Sequence, residues 1–272
     1  MFVAFADNGE GHPGVFPDGP RLGRMTTTVA VLGAKGRMGS ESVRAITAAD
    51  GLEVVAEIDQ SDSLDLITSS GAQVALDFTQ PAVALDNVAW CIEHGVHVVV
   101  GTSGFDDDRI AAVQALLGDA PTTGVLIVPN FSIGAILMMR FAETAAPFFE
   151  SIEVIEMHHP DKIDAPSGTA VRTAELIAAA RSAAGSAPLP DATTSDPDGA
   201  RGATVDGIPV HSVRARGFVA SQQVLFGGVG EAFTIRHDSH DRGSFMPGVV
   251  AAVAAVGGRP GVTVGLDAVL GL

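Results

Sequence analysis

Residues 29–39, VAVLGAKGRMG, constrain the fold most, because a short apolar strand runs directly into glycines at 33, 36 and 39 and then into a helix. A turn without side chains lets backbone amides approach a pyrophosphate, and the helix N-terminus favours its negative charge. The spacing differs from the usual G-x-G-x-x-G, and a tight turn that binds nothing is the alternative. Asp59, about 20 residues further on at the end of the next predicted strand, favours a dinucleotide, since its carboxylate can accept hydrogen bonds from ribose hydroxyls.

Strand and helix patterns alternate through the first half of the chain. Predicted strands cover residues 29–32, 53–58, 73–78, 97–100 and 124–128, and predicted helices cover 37–49, 81–94 and 107–117. Apolar strands alternating with helices are typical of a parallel sheet covered on both faces. The pattern therefore predicts an α/β fold with a Rossmann-like, doubly wound parallel sheet.

The second half of the chain has a different pattern. It predicts helices over residues 132–149, 168–184 and 245–256, with Asn130 or Ser132 capping the first, and a strand over 152–156. Predicted strands over 208–215, 218–226 and 232–237 follow with glycine breaks, which indicates an antiparallel meander. We expect a nucleotide-binding domain over 25–130, completed by 240–272, and an α+β domain with an open, largely antiparallel sheet over 131–239. Residues 1–24 show no helix or strand period and no signal-peptide pattern, so a disordered extension is expected.

Composition excludes several classes of partner. The 272 residues carry a formal charge of −16, which argues against nucleic acid and anionic membranes as partners. No apolar run reaches the roughly 18 residues of a membrane helix. The single cysteine, Cys91, cannot form an intramolecular disulfide, fits the reducing cytoplasm, and lies in an apolar stretch that predicts a core position.

Residues 156–169, EMHHPDKIDAPSGT, concentrate chemistry where a predicted strand passes into a helix. Two adjacent histidines, His158 and His159, precede Lys162, one of only two lysines in the chain. The amides and hydroxyl groups of the S-G-T sequence at the helix start form an anion site, so a carboxylate substrate is expected. Alternatives are a structural loop, a zinc site, which lacks a second Cys/His cluster, and a nucleophilic Ser167, which lacks a G-x-S-x-G context. No metal site is predicted.

Five motifs in order carry a family resemblance. They are GAKGRMG at 33–39, DFTQP at 77–81, GTSGFD at 101–106, PNFSIG at 129–134 and HHPDKIDAPSGTA at 158–170. Together, and across residues 27–272, the chain resembles the 4-hydroxy-tetrahydrodipicolinate reductase family. The resemblance implies reduction of a small dicarboxylate substrate, 4-hydroxy-tetrahydrodipicolinate, by NADH or NADPH in lysine and diaminopimelate biosynthesis. It also implies a homotetramer joined through the open sheet of the second domain.

The resemblance assigns roles to individual residues. It implies His158 as proton donor and acceptor, Lys162 as proton donor, and His159, Gly168 and Thr169 as substrate-binding residues. The residues that it implies as cofactor contacts are Gly33, Ala34, Lys35, Gly36, Arg37, Met38, Asp59, Gly101, Thr102, Ser103, Val128, Pro129, Asn130 and Phe131.

Departures from the family pattern bear on the cofactor. Gln60 follows Asp59 where the family often has basic residues, so we expect NADH to serve at least as well as NADPH. Lys35 and Arg37, in the same loop, are the argument for a 2′-phosphate contact. Ser221 also stands where a histidine is frequent. A redox-sensing NAD-binding protein and another Rossmann reductase, such as an amino-acid dehydrogenase, are the alternatives; intact His158 and Lys162 favour the reductase.

Overall fold

The computed structural model of this chain describes residues 26–272, so the predicted extension over residues 1–24 lies outside the described residues. The strands are β1 (Thr27–Leu32), β2 (Leu52–Ile58), β3 (Val74–Asp77), β4 (His97–Val100), β5 (Gly124–Ile127), β6 (Ser151–His158), β7 (Ala203–Val205), β8 (Ile208–Arg214), β9 (Ala220–Gly228), β10 (Glu231–Ser239) and β11 (Gly261–Val264). The α-helices are α1 (Arg37–Thr47), α2 (Asp65–Ser69), α3 (Pro81–Glu93), α4 (Asp107–Leu117), α5 (Ile133–Ala145), α6 (Gly168–Ala183), α7 (Met246–Val256) and α8 (Asp267–Leu270).

The first sheet is parallel throughout and has the order β11-β5-β4-β3-β1-β2. Side chains alternate between its faces: Val29 and Val31 pack with α1 and α7, whereas Ala30 and Leu32 face α2, α3 and α4. Both faces of the central strands are therefore buried, which explains why β1 and β3 to β5 are largely apolar, whereas the edge strand β2 carries exposed Glu53 and Glu57. The predicted Rossmann-like, doubly wound sheet is confirmed.

The second sheet has the order β10-β9-β6-β8-β7, and only the β6–β8 pair is parallel. A largely antiparallel sheet was expected and is confirmed, but the predicted meander is wrong, because β6 lies between β8 and β9. The reason is the crossover through α6, which returns the chain to lay β8 parallel beside β6 and leaves the other edge of β6 for β9.

Helix ends also differ from the prediction. The helix expected over residues 132–149 ends at Ala145, and residues Ala146–Phe148 form a 3₁₀ turn. Pro147 explains the change, because its ring and missing N–H cannot continue the α-helical hydrogen bonds. Ser132 is the cap, as expected: its Oγ accepts from the Ala135 amide at 3.3 Å, while Asn130 Oδ1 accepts from the Ser132 amide at 2.8 Å.

Helices α5 and α6 cover one face of the second sheet and form a separate core with β6, β8 and β9. The chain thus leaves the first sheet after β5 and returns after β10, when α7 and β11 join the first sheet and its core. Cys91 is buried in the core, as expected, and burial raises the pKa of its thiol to about 12. Within residues 26–272, no helix is both long enough and apolar enough to span a bilayer.

Candidate active site

The carboxyl ends of β1, β2, β4 and β5 lie at one edge of the first sheet, since these strands run parallel. The segments that follow them, residues 33–38, 59, 101–103 and 128–131, therefore meet at that edge. This is where open α/β sheets bind nucleotides.

Two glycines of the first loop are required by the fold itself. Gly33 has a φ of 73°, and a Cβ there would lie 2.6 Å from the Phe78 carbonyl oxygen. A Cβ at Gly39 would lie 2.1 Å from the Gly33 carbonyl oxygen, so this glycine lets α1 pack closely against the strand end. Gly36 is exposed and lies at the start of α1, where its position leaves the helix N-terminus open.

A cleft of about 440 Å³ opens beside this loop and is lined in part by Gly33, Gly36, Asp59, Gln60 and Phe78. Asp59 is fixed at its wall, because its Oδ2 accepts from the Lys35 amide at 3.0 Å. The Lys35 ammonium lies 3.9 Å from the same oxygen and is largely exposed. A carboxylate held in this way can accept hydrogen bonds from a diol, and the glycines and helix terminus suit a pyrophosphate, so the residues fit a dinucleotide.

Eight of the other expected cofactor residues fall into two groups. Ala34, Val128 and Phe131 are buried and Met38 packs against the same core, so these four can offer a ligand chiefly their backbone. The exposed members are Lys35, Arg37, Ser103 and Pro129.

Gly101 and Thr102 shape the sheet edge. A Cβ at Gly101 would lie 2.1 Å from the Phe78 ring and 2.8 Å from the Phe131 ring, so only glycine fits between these aromatic side chains. Thr102 is buried, and its hydroxyl donates to Asp77 Oδ1 at 2.7 Å. Its side chain is therefore committed to the fold.

Strand β6 ends at His158, whose orientation is set by Glu156 two residues earlier on the same face. The Nδ1 of His158 lies 2.6 Å from Glu156 Oε2, and Glu156 has no exposed surface. Arg214 donates to both carboxylate oxygens at 2.8 Å, and the Ser167 amide donates to Oε1 at 3.1 Å. A carboxylate partner places the proton of a neutral imidazole on Nδ1, which leaves the Nε2 lone pair free.

Burial and neighbouring charges shift the pKa values of both His158 and Glu156. Burial lowers the pKa of His158, and the Glu156 carboxylate opposes that effect without overcoming it. Burial alone would raise the pKa of Glu156, but hydrogen bonds from Arg214 and from other neighbours hold it below its usual value. Glu156 is thus ionised and His158 is mainly neutral at pH 7.

The loop after β6 carries the expected cation. Lys162 Nζ lies 2.7 Å from Asp164 Oδ1, and this contact lowers the pKa of Asp164. Arg214 also donates to the Asp164 carbonyl at 2.6 Å, which ties the loop to β8. His159 is partly exposed at the start of the loop, and its carbonyl accepts from the Lys162 amide at 3.2 Å.

Helix α6 begins beside this loop. Ser167 caps it, with Oγ accepting from the Ala170 amide at 3.2 Å. A Cβ at Gly168 would meet no atom within 4 Å, so the fold itself does not require glycine there. Asn130 Nδ2 donates to Thr169 Oγ1 at 3.2 Å, a contact that joins the loop after β5 to the start of α6.

The expected substrate residues are brought together only in part around one cavity. His158, Ser167 and Thr169 line a cavity of about 40 Å³ with Asn130, and Lys162 and His159 belong to the adjoining loop. In the part of the chain that the structure describes, no group of three or more His, Cys, Asp or Glu side chains is arranged to hold a metal ion.

Two family models cover nearly all of this architecture. The model described as Dihydrodipicolinate reductase, N-terminus, matches residues 27–131, and the model described as Dihydrodipicolinate reductase, C-terminus, matches residues 134–270. The chain belongs to the dihydrodipicolinate reductase family. The resemblance noted from the motifs is therefore confirmed.

Individual relatives agree. The chain is 59% identical over 244 residues to the 4-hydroxy-tetrahydrodipicolinate reductase of Streptomyces griseus, covering 90% of this chain and 98% of that protein. It is 59% identical over 248 residues to the enzyme of the same name from Nocardia farcinica, covering 91% and 100%. The structure of the dipicolinate-bound dihydrodipicolinate reductase from Paenisporosarcina sp. TG-14 matches with 37% identity and a TM-score of 0.79, covering 90% and 99%.

More distant structures share only the fold. The myo-inositol 2-dehydrogenase of Lactobacillus plantarum matches with 12% identity and a TM-score of 0.57, covering 90% of this chain and 93% of that one. Membership of the dihydrodipicolinate reductase family makes the chain an NAD(P)H-dependent oxidoreductase, which decides against a binding protein without catalysis.

Four further residues of this candidate site were not named from the sequence: Glu156, Asp164, Arg214 and Gln222, the last of which lines the same cavity as His158. A signal existed for two of them, because Glu156 alternates with His158 along a strand and Asp164 follows Lys162 within the motif. Arg214 and Gln222 reach the site from β8 and β9, and their positions depend on a strand order that the glycine breaks did not reveal.

Proposed function

We propose that this chain reduces 4-hydroxy-tetrahydrodipicolinate to tetrahydrodipicolinate, with loss of water, using NADH or NADPH in lysine and diaminopimelate biosynthesis. The observation that carries the proposal is the hydrogen bond between Asn130 and Thr169. It joins the edge of the nucleotide-type sheet to the anion-binding start of α6, so that a cofactor and a carboxylate substrate would meet there. The name of the Streptomyces griseus relative supports the same reaction.

The substrate dianion needs positive groups in a protein of charge −16. In the proposal Lys162, His159 and the start of α6 at Gly168 and Thr169 bind the two carboxylates. Gly168 leaves the amides of the first helical turn open to them, and the helix dipole adds attraction. Asp164 offsets part of the Lys162 charge in the free protein and would be displaced from it by substrate.

Proton movement falls to two side chains. The nicotinamide supplies a hydride when it is bound, so one proton must reach the product with each turnover. The Lys162 ammonium can deliver that proton. The free Nε2 of His158 can accept a ring proton and return it to the departing hydroxide, which leaves as water. Glu156 keeps the imidazole in the orientation and tautomer that this step needs.

The remaining cofactor residues would bind and orient the dinucleotide. The loop 33–38, Asp59, Gly101–103 and 128–131 would hold the dinucleotide along the sheet edge, as proposed from the family pattern. We propose that NADH serves at least as well as NADPH. Asp59 repels a 2′-phosphate, and Lys35 already lies beside that carboxylate.

The proposed organisation has a nucleotide domain over residues 25–130, completed by 240–272, and a substrate and oligomerisation domain over 131–239. Apolar side chains are exposed where the edge strand β10 meets the 3₁₀ turn after α5: Phe233 of β10 is 42% exposed and Phe148 of the turn is 81% exposed. We propose that this surface is covered in a cytoplasmic homotetramer. Light scattering at micromolar concentration measures the mass, and a monomer would contradict it.

The deciding experiment for the activity is the loss of nicotinamide absorbance when the purified protein meets substrate generated by the preceding synthase. The expected result is rapid loss that His158→Gln slows by about a hundredfold or more. An amino-acid dehydrogenase would instead consume NADH with a 2-oxo acid and ammonia. Binding of NADH without absorbance loss would contradict the proposal.

A further inference from the structure

Gln222 lies in the middle strand of a row of polar side chains. On β9 it pairs with Glu156 of β6 on one side and with His237 of β10 on the other. Paired residues of neighbouring strands project from the same face, so Gln222 faces α6 together with Glu156 and His158. It is only 4% exposed and lines the same cavity as His158 and Thr169.

A chain of hydrogen bonds fixes the orientation of its amide. Thr173 Oγ1 donates its single hydrogen to the Thr169 carbonyl at 2.7 Å, so this oxygen can only accept from Gln222. Gln222 Nε2 donates to it at 2.7 Å. The amide nitrogen therefore faces Thr173, and the amide oxygen must face away from it.

That oxygen has no partner. Among the side chains of residues 26–272, Oε1 of Gln222 is the one buried polar atom without a hydrogen bond. Buried polar atoms are normally paired, and an amide oxygen can only accept. The cavity of about 40 Å³ has room for a water molecule or one small substituent, but not for a six-membered ring.

The start of α6 and the loop after β6 suit the carboxylates of a ligand and not its hydrogen-bond donors. The start of α6 at Gly168 and Thr169 and the Lys162 ammonium present hydrogen-bond donors. A ring that carries carboxylates and also a hydroxyl or an N–H group needs an acceptor as well, and Gln222 Oε1 is held in place to be one beside the Nε2 of His158.

We propose that Gln222 Oε1 accepts a hydrogen bond from a donor on the substrate ring, a hydroxyl or a ring N–H, and so determines specificity for rings that carry such a donor. This inference rests on the proposed function, since it takes the substrate ring to lie at the cavity and to direct its donor into it. Gln222 is a specificity-determining residue in this proposal, and Thr173 positions it.

The test compares four dicarboxylates. Pyridine-2,6-dicarboxylate probes the site itself, and tetrahydropyran-2,6-dicarboxylate has a saturated ring without a donor. Piperidine-2,6-dicarboxylate adds N–H donors on a protonated ring nitrogen, and 4-hydroxytetrahydropyran-2,6-dicarboxylate adds a neutral hydroxyl. Calorimetry on the full chain with saturating NADH gives each Kd, and the two donor-bearing rings distinguish the two sources of the hydrogen bond.

The wild-type protein is expected to bind one donor-bearing ring about tenfold more tightly than tetrahydropyran-2,6-dicarboxylate, which corresponds to one hydrogen bond. Gln222→Met, which keeps the length but removes the amide, is expected to abolish that preference and leave the donor-free Kd within about threefold. Gln223→Met is the matched control. It lies next along β9, faces the opposite side, contacts Arg236 and should change nothing.

A second variant covers the case in which Gln222→Met does not fold. Thr173→Val keeps the shape of the helix but frees the amide to rotate, and it should reduce the preference for the donor. The inference is overturned if either folded variant keeps the full preference, or if the wild type shows none because the oxygen holds only water. Absence of binding of all four ligands to the wild type would instead refute the proposed function, and the inference with it.

Discussion

The Nδ1 atom of His158 lies 2.6 Å from Oε2 of Glu156, a carboxylate with no exposed surface. The same carboxylate accepts hydrogen bonds from both terminal nitrogens of Arg214. One buried acid thereby fixes the orientation of the imidazole and ties it to β8. The proposed proton chemistry of His158 depends on this arrangement, and the following predictions test it and the rest of the site.

Glu156→Gln should lower the free energy of unfolding by about 3–5 kcal/mol, because it leaves a partly buried guanidinium without its counter-charge. Glu153→Gln is the matched control on the same strand. Glu153 pairs with Arg201 and is partly exposed, so a much smaller loss is expected. Denaturant unfolding measures both losses, and equal losses would show that the Glu156–Arg214 pair contributes no more to stability than the Glu153–Arg201 pair.

His158→Gln and Lys162→Ala should each lower kcat by roughly 10²–10⁴, the range for a positioned acid or base. Binding of NADH should be unchanged, because neither residue contacts the 33–38 loop. Lys162→Arg should restore substrate binding better than turnover, since Arg keeps the charge but does not readily give up a proton. Steady-state kinetics with a cofactor titration decide this, and near-wild-type kcat in both single variants would refute the assigned roles.

The imidazole of His158 should titrate below pH 6.5, because burial lowers its pKa. Lys162 also lowers it, since a nearby positive charge disfavours the imidazolium. Lys162→Met should therefore raise the His158 pKa. NMR titration of the histidine side chains measures the shift. His237, whose pKa burial also lowers, is the internal control and should not move.

The kcat/KM for NADPH should not exceed that for NADH by more than about tenfold, or 1.4 kcal/mol. Asp59→Asn should shift the ratio toward NADPH, because it removes the charge that repels a 2′-phosphate. Asp62→Asn is the control, since Asp62 lines the same cleft and accepts from the Asp59 amide. A large wild-type preference for NADPH would contradict the expectation.

Pyridine-2,6-dicarboxylate should compete with the substrate, since it presents two carboxylates to Lys162 and the start of α6. Gly168→Ala should weaken this inhibition without loss of melting temperature, because the added Cβ meets no protein atom within 4 Å. Inhibition kinetics and thermal unfolding on the same sample separate the two effects. Noncompetitive inhibition would place the dicarboxylate elsewhere.

Local sequence patterns predicted β1 to β5 of the first sheet, because these strands are largely apolar runs between glycines or helices, but they did not predict β11 (Gly261–Val264). They could not predict the order of the second sheet, since the placement of β8 beside β6 depends on the packing of α6. The same limit applies to the site. His158 and Lys162 stand within one motif, whereas Arg214 and Gln222 arrive through long-range strand register.

Helix α7 and strand β11 complete the first sheet, and this has a consequence for synthesis on the ribosome. Val29, Val31 and Val99 turn one face of that sheet toward a core that includes Val249 and Val253 of α7. When β1 to β5 have emerged, α1 has emerged with them, but α7, the other helix that covers this apolar face, has not yet been translated, because the whole second sheet comes first. Part of this apolar, aggregation-prone surface therefore stays uncovered by α7 until residues 246–264 leave the exit tunnel, and a chaperone or transient collapse of the chain would have to protect it.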